Sequence, residues 1–208
     1  MGLTRRDFIR GSVASVPATM AMEMLAGPRW LFAQSADPGS GGSADFTSDI
    51  DVLNYALTLE YLESAFYKQG NDKNLLSGKE KEYLKKVGAD EDAHVSAIKA
   101  TVTKLGGTPV TAPGVDFKDS FKDRKSFLTT AHVFENLGVS AYLGAAGFIE
   151  NKEVLQAAAG IFGVEARHAA VIGNLLELEA EGGVYMGAQE TAKTKSEVLA
   201  AAGPFIKA

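Results

Sequence analysis

Glu91-Asp92-Ala93-His94 and Glu165-Ala166-Arg167-His168 are two copies of one pattern, Glu-x-x-His, in a chain of 208 residues with 3 histidines. A lone glutamate precedes each copy. Glu60 stands 31 residues before Glu91, and Glu135 stands 30 before Glu165. The constellation therefore repeats with an offset of 75 residues for the lone glutamates and 74 for the motifs. On a helix, positions i and i+3 project from one face, so each motif can aim a carboxylate and an imidazole at one point. Four carboxylates and two imidazoles from four helices are the ligand set of a two-metal site inside a bundle.

Working outward, apolar periodicity predicts four helices. The first covers about 45–69, with Leu53, Ala56, Leu57 and Glu60 on one face. A polar turn over 70–76 follows, and Ser77 with Glu80 reads as a capping box for the second helix, which runs to about Leu105. Leu84, Val87, Glu91, His94, Val95, Ile98 and Val102 form its stripe. The third helix covers about 120–150 and aligns Leu128, Ala131, Glu135, Val139 and Tyr142; the fourth, about 152–180, aligns Ile161, Glu165, His168, Ile172 and Leu175. In all four helices the candidate ligands interrupt an apolar stripe. A buried, unpaired carboxylate is so costly that it must be neutralised, paired or bound to a metal.

The two halves align beyond the ligands. Ala56 to Glu60 matches Ala131 to Glu135, and Tyr67 and Tyr142 each follow their glutamate by seven residues. Such a duplication predicts two helical hairpins facing each other. The connection over 106–118 holds Pro109, Pro113 and three glycines, so it is extended rather than helical. If helices two and three run parallel with their motifs level, it must cross roughly 40 Å at 1.5 Å per residue. Thirteen extended residues reach about 43 Å, so the crossover fits with little slack. The expected fold class is all-α: a four-helix bundle with a long crossover between helices 2 and 3. Gly182, Gly183 and Gly187 mark a loop after it, and 190–202 a short fifth helix that could cover the bundle end or join a neighbouring subunit of a homo-oligomer.

Composition narrows the chemistry. With no cysteine, disulfides, zinc–thiolate sites, iron–sulfur clusters and thiol nucleophiles are excluded. Thr4-Arg5-Arg6-Asp7-Phe8-Ile9-Arg10 resembles the twin-arginine export motif, and the apolar stretch after it, interrupted by Glu23, is too short and polar for a membrane span. Residues 1–35 are therefore expected to be a signal peptide cut near Ala33 to Ala36, 36–44 a flexible linker, 45–180 the bundle and 181–208 a tail. Export predicts a periplasmic or extracellular protein. The signal holds 4 arginines and 2 acids, leaving 17 basic and 24 acidic residues, a net charge of −7. That gives no basic footprint for nucleic acid.

The order Glu, Glu-x-x-His, Glu, Glu-x-x-His over about 45–180 resembles the ferritin-like superfamily of di-iron or di-manganese carboxylate proteins. Within it the chain is similar to twin-arginine-exported ferritin-like proteins related to desiccation-associated proteins, an affinity to which the ending Ser196 to Phe205 adds. The resemblance implies a dinuclear iron or manganese cofactor. It also implies terminal ligands Glu60 and Glu135, bridging Glu91 and Glu165, and one histidine, His94 or His168, for each metal. It further implies redox chemistry with oxygen or peroxide, catalase-like or ferroxidase-like. Without cysteine there is no internal electron relay, and peroxide disproportionation needs no external reductant. The alternative is a stress-protective structural or metal-binding protein without turnover.

Four further positions are less decided. Glu63, one turn from Glu60, has Gly138 as its counterpart; it reads as a solvated surface acid, with an extra ligand as the alternative. His132 either supports the site or opens to the surface. Tyr67 and Tyr142 either hydrogen-bond across the site or are ordinary core tyrosines. Arg167 points off the ligand face and is expected to pair with a surface acid.

Overall fold

The computed structural model describes residues 45–207; the expected signal and linker lie outside the described residues. Four long helices carry the fold: α1 (Asp49–Asp72), α2 (Gly78–Lys104), α3 (Arg124–Ala145) and α4 (Lys152–Leu175). A short α5 (Lys195–Ala202) follows. Single 3-10 turns cover Lys118–Phe121, Ala146–Phe148 and Gly203–Phe205. Among the described residues only isolated β-bridges occur, and no helix is long and apolar enough to cross a membrane.

Contacts between helix ends give the topology. Arg124, opening α3, grips the Glu80 carboxylate in the first turn of α2 with its Nε at 3.0 Å, and donates to the carbonyl of Leu175 at the end of α4. Asp49, opening α1, accepts from the amides of Glu150 and Asn151 where α4 begins. Thus α1 and α4 run one way, α2 and α3 the other. The parallel α2 and α3 require the long crossover, which runs from Asn54, bonded to Thr108 and Val110, to Phe117 against the ring of Phe66.

Local chemistry explains where the helices stop. Ser48, Asp123, Asn151 and Thr194 cap their helices through the side chain, each cap contributing about 1 kcal/mol. The expected capping box at Ser77 is not formed: its side chain caps nothing, because Glu80 is drawn to Arg124 instead. The only described capping box is Thr194 with Glu197, so the last helix begins at Lys195 rather than near 190. α1 continues through Gly70, where a Cβ would collide with the Phe127 ring, and ends at Asp72 with Asn74 at φ +53°. α3 ends at Ala145, and the expected extension to 150 is a 3-10 turn followed by extended Ile149. α4 ends at Leu175, short of the expected Ala180. Glu177 takes φ +57°, and the Leu178 and Glu177 amides return to the carbonyls of Gly173 and Asn174. That is a Schellman stop without its usual glycine.

The tail folds back onto its own chain. Lys193 bonds the Ser140 carbonyl, where Gly144 allows close approach. Val198 and Ala202 are buried, and Phe205 and Lys207 exchange backbone hydrogen bonds with Asp116 and Gly114 of the crossover. Beneath lies an aromatic core in which Phe66 contacts Phe117, Phe121, Phe127 and Phe134 at centroid distances of 5.0–5.3 Å. Each such buried ring is worth about 1.5–3 kcal/mol.

Candidate metal centre

All six expected ligands meet in the middle of the bundle, each buried. One set of atoms, from Glu60, Glu91, His94 and Glu165, lies within 4.8 Å of one another, and so does a second, from Glu91, Glu135, Glu165 and His168. Glu91 and Glu165 belong to both. Each set takes its lone glutamate from one half of the repeat and its carboxylates from both, so the duplicated hairpins close on each other across this point.

The arrangement is unusual for ordinary hydrogen bonding. His94 Nδ1 faces Glu91 Oε2 at 3.0 Å, Glu165 Oε1 at 3.2 Å and Glu60 Oε2 at 3.3 Å. His168 Nδ1 faces Glu91 Oε1 at 3.0 Å and Glu135 Oε2 at 3.1 Å. One ring N–H can serve one acceptor well, not three. Glu60 Oε2, Glu91 Oε1 and both oxygens of Glu165 are buried without a hydrogen bond. Ring nitrogens and orphaned carboxylate oxygens converging on shared points are how ligand atoms stand around cations.

Charge gives the same answer. Among the described residues no lysine or arginine ion pair reaches these carboxylates. Glu60, Glu63, Glu91, Glu135 and Glu165 against two imidazolium rings leave −5 + 2 = −3. Two divalent ions with neutral imidazoles leave −5 + 4 = −1. Protons take that role where cations do not. Burial, only partly offset by His94, lifts Glu60 to about 7, and burial does the same for Glu165. Burial and then Glu165 push Glu135 well above the carboxylate range. Burial works against charged rings, but the carboxylates of Glu165, Glu60 and Glu91 facing its Nδ1 outweigh it and lift His94 to about 12; those of Glu135 and Glu91 lift His168 to about 11. Glu91 alone is lowered: burial opposes its charge, but both histidines outweigh it.

Neighbours hold the inner groups in place. Tyr67 donates its phenol to Glu135, and Tyr142 donates to Glu60, so each tyrosine anchors the lone glutamate of the other half. Burial and these carboxylates push both phenols well up, keeping them neutral donors. His168 Nε2 lies 3.2 Å from the half-exposed carboxylate of Asp90. Asp90 carries no signal in the sequence, because it simply precedes Glu91.

Three expectations need correction. Glu63 is not a solvated acid: it is 4% exposed, with its charge opposed by burial and by Glu165, Glu135, Glu91 and Glu60. Gly138 makes the room, since a Cβ there would stand 2.9 Å from Glu165 Oε2 and 3.4 Å from Glu63 Oε1. Glu63 belongs to neither ligand set. Among the described residues Arg167 pairs with no acid; its guanidinium donates to the Gly163 carbonyl one turn back. His132 does not support the site: it is half-buried and so partly open to the surface, and its Nε2 meets the Gly183 carbonyl of the tail loop at 2.8 Å.

A family model for the ferritin-like domain matches residues 48–178, more than half of the chain. No curated protein matches it. Among solved structures, it is similar to a crystal structure of ferritin like, diiron-carboxylate proteins from Bacillus anthracis str. Ames. The two are 24% identical, with a TM-score of 0.54 over 65% of this chain and 99% of that one. With the matched segment spanning all four long helices, the chain belongs to the ferritin-like domain family.

Proposed function

We propose that this chain is a dinuclear metal protein that holds two iron or manganese ions and uses them in redox chemistry with dioxygen or peroxide. The observation that carries the reading is the pair of four-residue sets overlapping at Glu91 and Glu165. Glu91 and Glu165 would be shared between the two ions, Glu60 and His94 would complete one site, and Glu135 and His168 the other. Bound there, such ions would supply a reversible electron store. The protein's own part is to orient and to exclude water. Tyr142 and Tyr67 fix the two terminal carboxylates by phenol hydrogen bonds, and Asp90 fixes the ring plane of His168 from behind. Leu57, Leu84, Phe134 and Ile172, all buried, close the surrounding bundle.

The description of the Bacillus anthracis protein as diiron-carboxylate supports iron, and the donor set of carboxylates with imidazole suits iron and manganese equally. The absence of cysteine favours peroxide disproportionation or an external reductant over an internal relay. Export to the periplasm or beyond rests on the twin-arginine-like stretch Thr4 to Arg10. A folded-protein route would let the metal be loaded before export. Because the ligands come from all four long helices, metals would also tie the bundle together, which supports a protective structural role as the second reading.

The test is elemental analysis of the purified protein beside a Glu91→Ala/Glu165→Ala double variant. About two equivalents of iron or manganese per chain, lost in the variant, are expected. A protein that holds no metal, even after anaerobic loading, would sink the proposal. Turnover of peroxide or of oxygen by the loaded protein then separates the enzyme from the structural reading.

A further inference from the structure

The two halves of the bundle differ in how they are filled. Adding 75 to an α1 position gives its α3 counterpart, and adding 74 to an α2 position gives its α4 counterpart. On the Glu135 side, Phe127, Phe134, Phe66 and Leu84 pack solidly, all at most 1% exposed. Their counterparts on the Glu60 side are Val52, Leu59, Ala141 and Ala158. At all four places the smaller residue lies toward Glu60. The missing volume is found there as a cavity of about 50 Å³, lined by these four residues and by Tyr142, and reaching exposed Ala97 and Ala157 between α2 and α4.

The wall is almost wholly apolar. Three hydroxyl-bearing residues line it: Thr101 donates to the Ala97 carbonyl and Tyr142 to Glu60, which leaves Tyr55 as the one hydroxyl without a partner among the described residues, too few for a guest that needs several. A water needs two to four polar partners to stay in such a space, and dry apolar cavities take up xenon and similar guests instead. A volume of 50 Å³ suits a guest of a few atoms, such as a diatomic molecule. Hydrogen peroxide, with two donors to desolvate, is disfavoured there for the same reason as water. Tyr142 is the wall shared between the cavity and the centre, because its ring lines one and its hydroxyl holds a carboxylate of the other.

We infer that this cavity is a dioxygen-holding site that feeds the Glu60/His94 half of the centre and selects dioxygen over hydrogen peroxide. The inference rests on the dinuclear-metal reading above. It makes the centre lopsided, with the oxidant arriving on the side where α1 and α3 carry Val52 and Ala141, not on the side sealed by Phe127 and Phe66.

Occupancy is tested without any metal, by methyl NMR of Val52, Val154 and Ile161 under dissolved oxygen and by xenon binding. Ala158→Leu and, separately, Val52→Phe restore the counterpart residue and close the space. Oxygen-dependent shifts confined to these methyls, with xenon bound, and both abolished by either substitution, are expected; no localised oxygen or xenon overturns the inference. In the metal-loaded protein, either substitution is expected to slow oxidation by dioxygen about tenfold, the scale of a methyl-sized change in an apolar site, and to leave oxidation by hydrogen peroxide unchanged. With metal bound, an unchanged dioxygen rate, or equal losses with both oxidants, overturns the inference alone. Absence of bound metal overturns the dinuclear reading and the inference with it, and xenon occupancy then shows that the cavity itself was correctly placed. If one variant fails to fold, the other, on a different helix, decides.

Discussion

Glu63 stays buried because Gly138 stands opposite it, and both residues lend themselves to single-atom tests. Glu63 is surrounded by four carboxylates and reached by no described ion pair, so its charge opposes folding. Glu63→Gln keeps the shape and removes that charge. The metal-free variant at about pH 8 is expected to gain on the order of 1–3 kcal/mol in urea unfolding, the scale of a relieved buried polar group. Metal content should be unchanged; loss of one equivalent would make Glu63 a ligand after all. Gly138→Ala acts in the opposite sense. Alanine favours the helix by about 1 kcal/mol, yet its Cβ at 2.9 Å forces Glu165 Oε2 aside. Metal affinity in chelator competition is expected to fall about 10–100-fold, as for other displaced supports of a ligand. An unchanged affinity would mean that Glu165 is not held where the ions would sit. The residue scale is also where the sequence is least legible. The meeting of the six candidate ligands can be read from spacing, but the burial of Glu63 depends on a glycine in another helix, and the contact of Asp90 with His168 on a neighbour 78 positions away.

At the scale of elements, the four long helices can be read from their stripes because burial of one face, which the pattern encodes, is what stabilises them. Their ends are less legible, because each is decided by a local competition. Ser77-x-x-Glu80 carries the capping-box signature, yet Arg124 offers Glu80 two oxygen contacts that a backbone amide cannot match. Glu177 adopts a glycine-like conformation that no pattern announces. The tail is a third case. Its role depends on backbone pairing between 114–116 and 205–207, which leaves no trace in composition. Removing 205–208 deletes both backbone bonds and takes the Phe205 ring, 5.0 Å from Phe134, off the aromatic core. The truncated protein is expected to lose about 2 kcal/mol, less than a fully buried phenylalanine because Phe205 is half-exposed. Amide exchange should quicken at Asp116 and stay slow in α1 and α2. Uniform quickening would show that the tail holds the whole bundle, not the crossover.

At the scale of the whole bundle, a duplicated hairpin is closed over a charge problem, and pH exposes how that problem is solved. Without metal, Glu60 and Glu165 titrate near 7 against an ordinary 4.5, and Glu135 and Glu63 are also raised. Carboxyls raised in this way hold protons in the folded chain that the unfolded chain has already released, so stability falls as pH climbs from about 4.5 toward 7. The histidines add the same sign. Lifted to about 12 and about 11 from an ordinary 6.5, they contribute stability that is fully present below 6.5 and is lost as pH rises through those values. Glu91 alone, lowered by the histidines, works the other way. The metal-free protein is therefore expected to melt lower at about pH 9 than at about pH 5, by about 2–4 °C for each kcal/mol lost. Metal ions reverse the trend, because loading expels these protons and tightens as they become easier to remove. Calorimetric melting of chelated and metal-reconstituted samples across that range separates the two. Diverging curves, with the gap widening at high pH and proton release on titration with metal, are expected. Parallel curves would mean that the cluster keeps its protons and that the carboxylates are paired for structure alone.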